Sequence, residues 1–324
     1  MKLGMIGVGR IGDLTAPTLA AIGEVECWAV ASRTLERAEA FAEKYGFRKA
    51  YGSYEALLRD PEVELVYVAT PHSCHYEHMM LAIGHGKHII CEKPFTLNAK
   101  QAENVRAFAK EKGVFLAEAI WTRYMPARRM LDGLLASSII GKVHTVTANL
   151  SYANSHIRRL MDPELAGGAL LDVGVYGLNF LLMHFGADIQ RIESSVRMTQ
   201  TGVDGWETIT VFYQDGPMAC LTHSFFPRSD RKACIHGELG YIIVENINNP
   251  QSISVFDTED RLLGHYPVPE QISGYEYEFQ EAVRCIREGK TEADSMPLAD
   301  TVQVLTVMDT IRRQWGLVYP GEQE

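Results

Sequence analysis

The sequence predicts an α/β chain: an N-terminal doubly wound parallel sheet, then an α+β half carrying a large, mostly antiparallel, open-faced sheet. Three observations predict it. Short apolar runs alternate with helical patterns up to about residue 120, as parallel strands covered on both faces do. After Trp121 the chain turns to alternating strands separated by turn dipeptides, the pattern of an antiparallel sheet. A length of 324 residues, 46% of them hydrophobic, fills two cores.

Each element follows from its residues. Lys2 to Ile6 is a short apolar strand and Ile11 to Ala21 a helix. Val25 to Ala31 is a second strand, with helices at Leu35 to Lys44 and Tyr54 to Arg59. Leu65 to Ala69 and His88 to Cys91 are buried strands around a helix at Tyr76 to Ile83. Ala99 to Lys110 is a helix and Val114 to Ala117 a strand. Beyond Trp121, a helix at Pro126 to Leu135 precedes the alternating strand Val143 to Tyr152. Gly168 to Phe185 reads as an apolar helix. Between Ile189 and Pro267, short strands include Val196 to Gln200, Thr208 to Tyr213 and Ala219 to Phe225. Asp204-Gly205, Asp215-Gly216 and Asn248-Asn249-Pro250 read as their turns. Gly274 to Arg287 and Pro297 to Trp315 close the chain as helices. The expected domains are 1–120 and 121–324, with the last helix free to pack back on the first.

Composition excludes several classes. A net charge of -10 argues against nucleic acid as a partner. Six cysteines without a CxxC pair point to reduced thiols rather than a disulfide framework. No apolar run reads as membrane-spanning, and the chain opens on a core strand, so a cytoplasmic protein without a membrane partner is expected.

Gly7-Val8-Gly9-Arg10-Ile11-Gly12 stands between the first strand and the first helix. A GxGxxG there holds a dinucleotide pyrophosphate. Gly7 permits the turn, Gly9 lets backbone approach phosphate, and Gly12 lets helix and strand pack closely. Arg10 and Ile11 open the helix whose N-terminus attracts the anion. The second strand ends Ala31-Ser32-Arg33-Thr34, with no carboxylate for ribose hydroxyls. Ser32 can donate a hydrogen bond, and Arg33 with Arg37 can pair with a 2′-phosphate. The expected cofactor is therefore NADP, in preference to NAD.

Glu92-Lys93-Pro94 follows Ile89-Ile90-Cys91 at the carboxyl edge of the parallel sheet, where such folds bind ligands. Together with Thr70-Pro71-His72-x-x-His75 and the glycine loop, this set resembles the Gfo/Idh/MocA oxidoreductases. The resemblance runs over nearly the whole chain. Leu171-Asp172-Val173-Gly174-Val175-Tyr176 matches that family's DxGxH motif except that Tyr176 replaces the histidine. With Glu118-Ala119-Ile120-Trp121-Thr122-Arg123, it is similar to the subgroup of dimeric dihydrodiol and D-xylose dehydrogenases. The resemblance implies a Rossmann domain followed by a substrate-binding domain, and hydride transfer between NADP and a sugar, cyclitol or cyclic dihydrodiol. It places Thr70, Pro71, His75, Glu92, Lys93, Pro94 and Arg123 at the coenzyme, and Trp121 as a wall for nicotinamide or substrate. Two alternatives stand beside it: a nonenzymatic NADP sensor, and a reductase of anhydro-sugars or dicarbonyls.

The residues give that assignment a chemistry. Asp172 and Tyr176 are four apart, on one helix face. A tyrosine, with an ordinary pKa near ~10, becomes a base near neutrality only where a cation stabilises the phenolate. Lys93 is the candidate cation, Tyr176 the acid–base, and Asp172 the group that holds Lys93 or a second substrate hydroxyl. His156, with Arg158 and Arg159, lies in a polar loop that can meet substrate. Phe225, Phe226 and Tyr275 are candidates for an aromatic rim. His72, Cys74, His75 and His78 offer zinc-like ligands, but no second cluster completes them, so no metal is expected. The open sheet face is expected to pair subunits into a dimer or tetramer.

Overall fold

The computed structural model describes residues 1–322. The chain divides into two compact units, Met1–Tyr124 with Gln271–Leu305, and Met125–Glu270 with the chain from Thr306 on.

The first unit is built on six parallel strands: β1 (Lys2–Ile6), β2 (Glu26–Ala31), β3 (Lys49–Tyr51), β4 (Leu65–Val68), β5 (His88–Glu92) and β6 (Leu116–Ala119). Their order is β3-β2-β1-β4-β5-β6, reversing direction at β1, next to the glycine loop. Helices α1 (Arg10–Ala21), α2 (Leu35–Tyr45), α3 (Tyr54–Leu58), α4 (His75–Gly84) and α5 (Ala99–Lys112) supply the crossovers. Every residue of β4 is buried, which is why that strand reads as an unbroken apolar run. β3 was not expected from the sequence. Its three half-buried residues are too few to show a period.

The second unit carries eight strands: β7 (Val143–Ser151), β8 (Ile189–Met198), β9 (Asp204–Tyr213), β10 (Met218–Ser224), β11 (Ala233–Gly237), β12 (Gly240–Val244), β13 (Ser252–Asp257) and β14 (Leu262–Pro267). They lie in the order β14-β13-β12-β11-β7-β10-β9-β8. All pairs are antiparallel except β7 with β10. Helices α6 (Pro126–Ala136) and α7 (Val175–Phe185) pack against this sheet. α8 (Glu276–Arg287) belongs to the first unit, and α9 (Leu298–Trp315) contributes residues to both. On the covered sheet face, Val146, Ala148, Ile209, Val211, Ala219 and Leu221 are buried. The alternate positions, such as Trp206 and Met218, are exposed.

Two sequence expectations are corrected here. Asp204-Gly205 is not a turn: both residues are buried and open β9. The segment Pro163–Phe185 is long and apolar enough to cross a membrane, with a mean hydropathy of 1.5 over an 18-residue window, but 94% of that window is buried inside the fold. It is a core helix, and its apolarity reflects packing on all sides.

Candidate functional site

In the first unit, β1 runs straight into the glycine loop. Gly7 has φ of +102°, and a Cβ there would stand 2.6 Å from the Ala69 carbonyl oxygen. Only glycine satisfies both the turn and the close approach to the end of β4. A Cβ on Gly12 would press on Met5, Phe41 and the Gly7 carbonyl at 3.2–3.3 Å, which is the helix–strand contact that the motif implies. Gly9 faces open space and caps α1 with no side-chain hydrogen bond. The first amides of α1 therefore meet no side-chain cap, and Arg10 at the helix start is exposed beside half-buried Ile11. This cradle fits a dinucleotide pyrophosphate.

At the tip of β2, the buried Ser32 donates its N–H to the Tyr51 carbonyl at 3.1 Å, so β3 fixes the strand end. Arg33 and Arg37 are exposed. Both act on the half-buried Tyr54 phenol, which burial raises and the two guanidinium charges lower. Tyr54 meets His78 edge-on at 4.7 Å, and His78 Nδ1 lies 2.9 Å from Thr70 Oγ1. Tyr54 and His78 thus lead on to Thr70 from a phenol that feels both arginine charges. Tyr54 opens α3 and His78 lies in α4, so neither carries a local motif that ties it to the arginines.

Thr70, Pro71 and His75 follow β4. The ring of His75 is wholly buried, with Nδ1 2.8 Å from the Pro94 carbonyl and Nε2 2.9 Å from the Thr70 carbonyl. Burial pulls its pKa down to about 4 against the pull of both carbonyls. His75 therefore ties the end of β4 to the Glu92-Lys93-Pro94 turn. The Lys93–Pro94 peptide is cis, and Lys93 is half-buried. Glu92, almost fully buried, accepts from the Tyr67 hydroxyl and from the Lys93 N–H. Glu118 on β6 is pushed up to about 7 by burial, against Thr301 and the Arg123 charge. Glu278 on α8 is buried with neither oxygen hydrogen-bonded among the described residues and is held well above the usual carboxylate range.

Trp121 and Arg123 lie in the same unit. Trp121 is 8% exposed and stacks on Tyr275 with ring centroids 4.3 Å apart and planes 16° apart. Arg123, 2% exposed, pairs with Asp300 at 2.8 Å. Asp300 gave no signal in the sequence, since the pair closes across 177 residues.

In the second unit, a π turn over Leu170–Gly174 leads directly into α7. Val175 bonds back to the Leu170 carbonyl. Such turns insert a residue into a helix and recur at functional sites. Asp172 and Tyr176 sit on this segment, 7% and 9% exposed. Arg159 Nη2 lies 3.4 Å from Asp172 Oδ1, so the loop after β7 supplies the carboxylate with a cation. His156 in that loop is exposed. Phe225 is fully buried, whereas Phe226 is 46% exposed.

The opposite side of the same helix rests on groups that the sequence reading passed over. Leu170 N–H donates to Asp204 Oδ2 at 2.6 Å, and Tyr319 O–H donates to Asp204 Oδ1 at 3.3 Å. His223 Nδ1 lies 2.7 Å from Glu207 Oε1. All of these side chains are buried. Burial pushes Asp204 up to about 7 and Glu207 up to about 8, and pulls His223 down to about 3. The signal was in the alternation: Glu207 shares its face with Ile209 and Val211, and His223 with Ala219 and Leu221. Polar residues on an apolar face mark buried polar contacts.

Comparison with known proteins places this architecture. Residues 1–119 match the family model described as the oxidoreductase family with an NAD-binding Rossmann fold, and residues 129–243 match the GFO/IDH/MocA C-terminal domain. The chain belongs to the Gfo/Idh/MocA oxidoreductases. A trans-1,2-dihydrobenzene-1,2-diol dehydrogenase from Mus musculus is 33% identical over 334 residues, covering 100% of this chain and 99% of the relative. Its namesake from Danio rerio is 35% identical over 306 residues, covering 91% and 90%. Among solved structures, a 3-ketoreductase from Actinomadura kijaniata, in complex with NADP and TDP-benzene, superposes with a TM-score of 0.90 at 24% identity, covering 97% of each chain. The likeness to that reductase is one of fold. The chain is thus an oxidoreductase whose family joins a nicotinamide coenzyme to sugar and diol substrates.

Proposed function

We propose that this protein is an NADP-dependent dehydrogenase or reductase of a vicinally hydroxylated small molecule: a sugar, a cyclitol or a cyclic dihydrodiol. The observation that carries the reading is the placement of Asp172 and Tyr176 one turn apart on a buried segment that runs from a π turn into α7, with Arg159 beside Asp172. The relatives named dihydrodiol dehydrogenases, matching over essentially the whole chain, support it.

Gly7, Gly9, Gly12 and the start of α1 at Arg10 and Ile11 hold the pyrophosphate. Ser32, Arg33 and Arg37 take the 2′-phosphate, with Tyr54 and His78 completing that edge. The bound coenzyme supplies or accepts the hydride. Tyr176 takes the substrate hydroxyl proton in oxidation and returns it to the carbonyl oxygen in reduction. Lys93 acts on the same oxygen and favours the phenolate by its charge. Asp172, oriented by Arg159, accepts from a neighbouring hydroxyl. General acid–base placement of this kind contributes about 10²–10⁴-fold. Trp121 and His156 bound the substrate, with His75 and Glu92 holding the turn that presents Lys93. The open sheet face, with Trp206, Met198 and Met218 exposed, takes a second copy of the chain.

The test is NADP⁺ reduction followed by nicotinamide absorbance over aldoses, inositols and trans-dihydrodiols, with NAD⁺ in parallel. Turnover of at least one class with NADP⁺ preferred is expected. Coenzyme binding without turnover across the panel would point to a sensor, and an NAD⁺ preference would overturn the assignment of Arg33.

A further inference from the structure

The helix that carries Asp172 and Tyr176 is glycine-lined where it meets the sheet. A Cβ on Gly174 would stand 2.5 Å from Glu207 Oε1 and one on Gly177 2.3 Å from His223 Nε2, while one on Gly168, just before the π turn, would stand 2.1 Å from Asp204 Oδ1. The contact admits no side chain, so a methyl added at any of the three glycines must displace either the backbone or the polar group it meets. Asp172 and Tyr176 project from other positions of the same turns. The start of the π turn is tied directly, by the Leu170 N–H on Asp204.

The cluster is not an ordinary core. Glu207 Oε2 and His223 Nε2 have no hydrogen-bond partner among the described residues. Burying such groups costs stability. Apolar side chains of similar volume in place of the whole set are often neutral or stabilising, whereas removing one member leaves its partners buried and unpaired. Nor is the cluster a metal centre, since no group of three His, Cys, Asp or Glu residues among those described could hold an ion. Groups that cost stability and sit directly behind the acid–base helix point to a role in aiming it.

We infer that Asp204, Glu207 and His223 are positioning residues that set the register of the π turn and so aim Asp172 and Tyr176. The inference rests on the acid–base reading of Tyr176. With Asp204 accepting two hydrogen bonds, from Leu170 and Tyr319, the negative charge is best held there, and Glu207 keeps its proton. Tyr319 in turn lies against the Arg312 guanidinium, which pairs with Asp309 and Glu322.

The experiment compares Glu207→Leu, Glu207→Gln and Tyr176→Phe in the full chain, reading melting temperature, coenzyme Kd, kcat and local amide exchange. Glu207→Leu leaves the buried His223 Nδ1 without its partner, so it is expected to melt below the wild type and, assayed below that temperature, to bind coenzyme unchanged. It should nevertheless lose about tenfold or more in kcat, as small misplacements of reacting groups do. Exchange should rise within 168–176 and not across the rest of the unit. Glu207→Gln, which keeps shape and hydrogen-bonding capacity, should restore most of the loss. Wild-type kcat and unchanged local exchange in Glu207→Leu would overturn the proposal, provided that Tyr176→Phe is inactive. An active Tyr176→Phe would instead overturn the acid–base reading itself. Should Glu207→Leu fail to fold, the pair Gly177→Ala and His223→Ala decides. The methyl alone should lower kcat about tenfold, and removing the imidazole in the same chain should recover much of it. Additive losses would overturn the proposal.

Discussion

The two units support their functional groups in opposite ways. In the first, the groups stand at the carboxyl edge of a parallel sheet. The glycine loop works through backbone, and Lys93 sits on a turn pinned by His75 and Glu92. In the second, Asp172 and Tyr176 ride on a helix whose reverse side rests on buried acids and an imidazole. At that edge Arg33 and Arg37 are exposed and tolerate change. A helix fitted glycine-to-carboxylate against a sheet does not. Coenzyme selection should therefore be separable by single substitutions, whereas the chemistry should respond to changes well behind it.

The largest effect expected is on turnover. Tyr176→Phe should lower kcat by about 10²–10⁴-fold, with coenzyme Kd unchanged in a fluorescence titration. A parallel loss of coenzyme affinity would break the separation of the two halves. Next is Arg33→Asp, which removes a charge-assisted phosphate contact and adds repulsion. The ratio of kcat/KM for NADP⁺ to NAD⁺ should fall by about 10–100-fold, corresponding to roughly 1.5–3 kcal/mol. An unchanged ratio would place the selection elsewhere.

Stability against pH sharpens the contrast further. Glu207 has its pKa raised from 4.5 to about 8 in the fold. The folded chain thus keeps a proton that the unfolded chain gives up, and stability is lost as pH rises through that window. Asp204 adds in the same sense. His75 and His223 are held neutral, at about 4 and about 3. Their contribution is present above about 6.5 and is lost as pH falls toward those values. Calorimetry from pH 5 to 9 should show that Glu207→Gln flattens the alkaline decline of the melting temperature and leaves the acid side in place. The smallest effect belongs to Tyr275→Ala. Losing its stack on Trp121 should cost about 0.5–1.5 kcal/mol beyond the lost burial, measurable by urea unfolding. A rise in substrate KM alongside it would support Trp121 as a wall of the substrate site.

How far the sequence was legible follows from the same contrast. The coenzyme half could be read because glycine spacing, strand ends and X-Pro turns are local signals. Gly7 and Gly12 meet the contacts their motif implies. The second half was legible only on its exposed logic. Asp172 and Tyr176 are four apart and visible as a pair, but the π turn beneath them depends on Asp204, a residue that reads as a turn former and instead opens a buried strand. Glu207 and His223 are joined through sheet register, with Thr222 opposite Thr208 and His223 opposite Glu207. Register across a hairpin is set by the whole ladder, not by either strand alone. Pairs such as Arg123 with Asp300 close over long separations and leave no local trace.

The central claim is that the Tyr176 phenol exchanges the substrate proton with help from the Lys93 ammonium. The most direct measurement is the pH profile of kcat/KM for substrate oxidation in the wild type, Lys93→Met and Tyr176→Phe. The account predicts a group ionising below the ordinary tyrosine value near ~10 in the wild type, displaced upward in Lys93→Met and absent from Tyr176→Phe. Near-full turnover with an unchanged profile in both variants would contradict it.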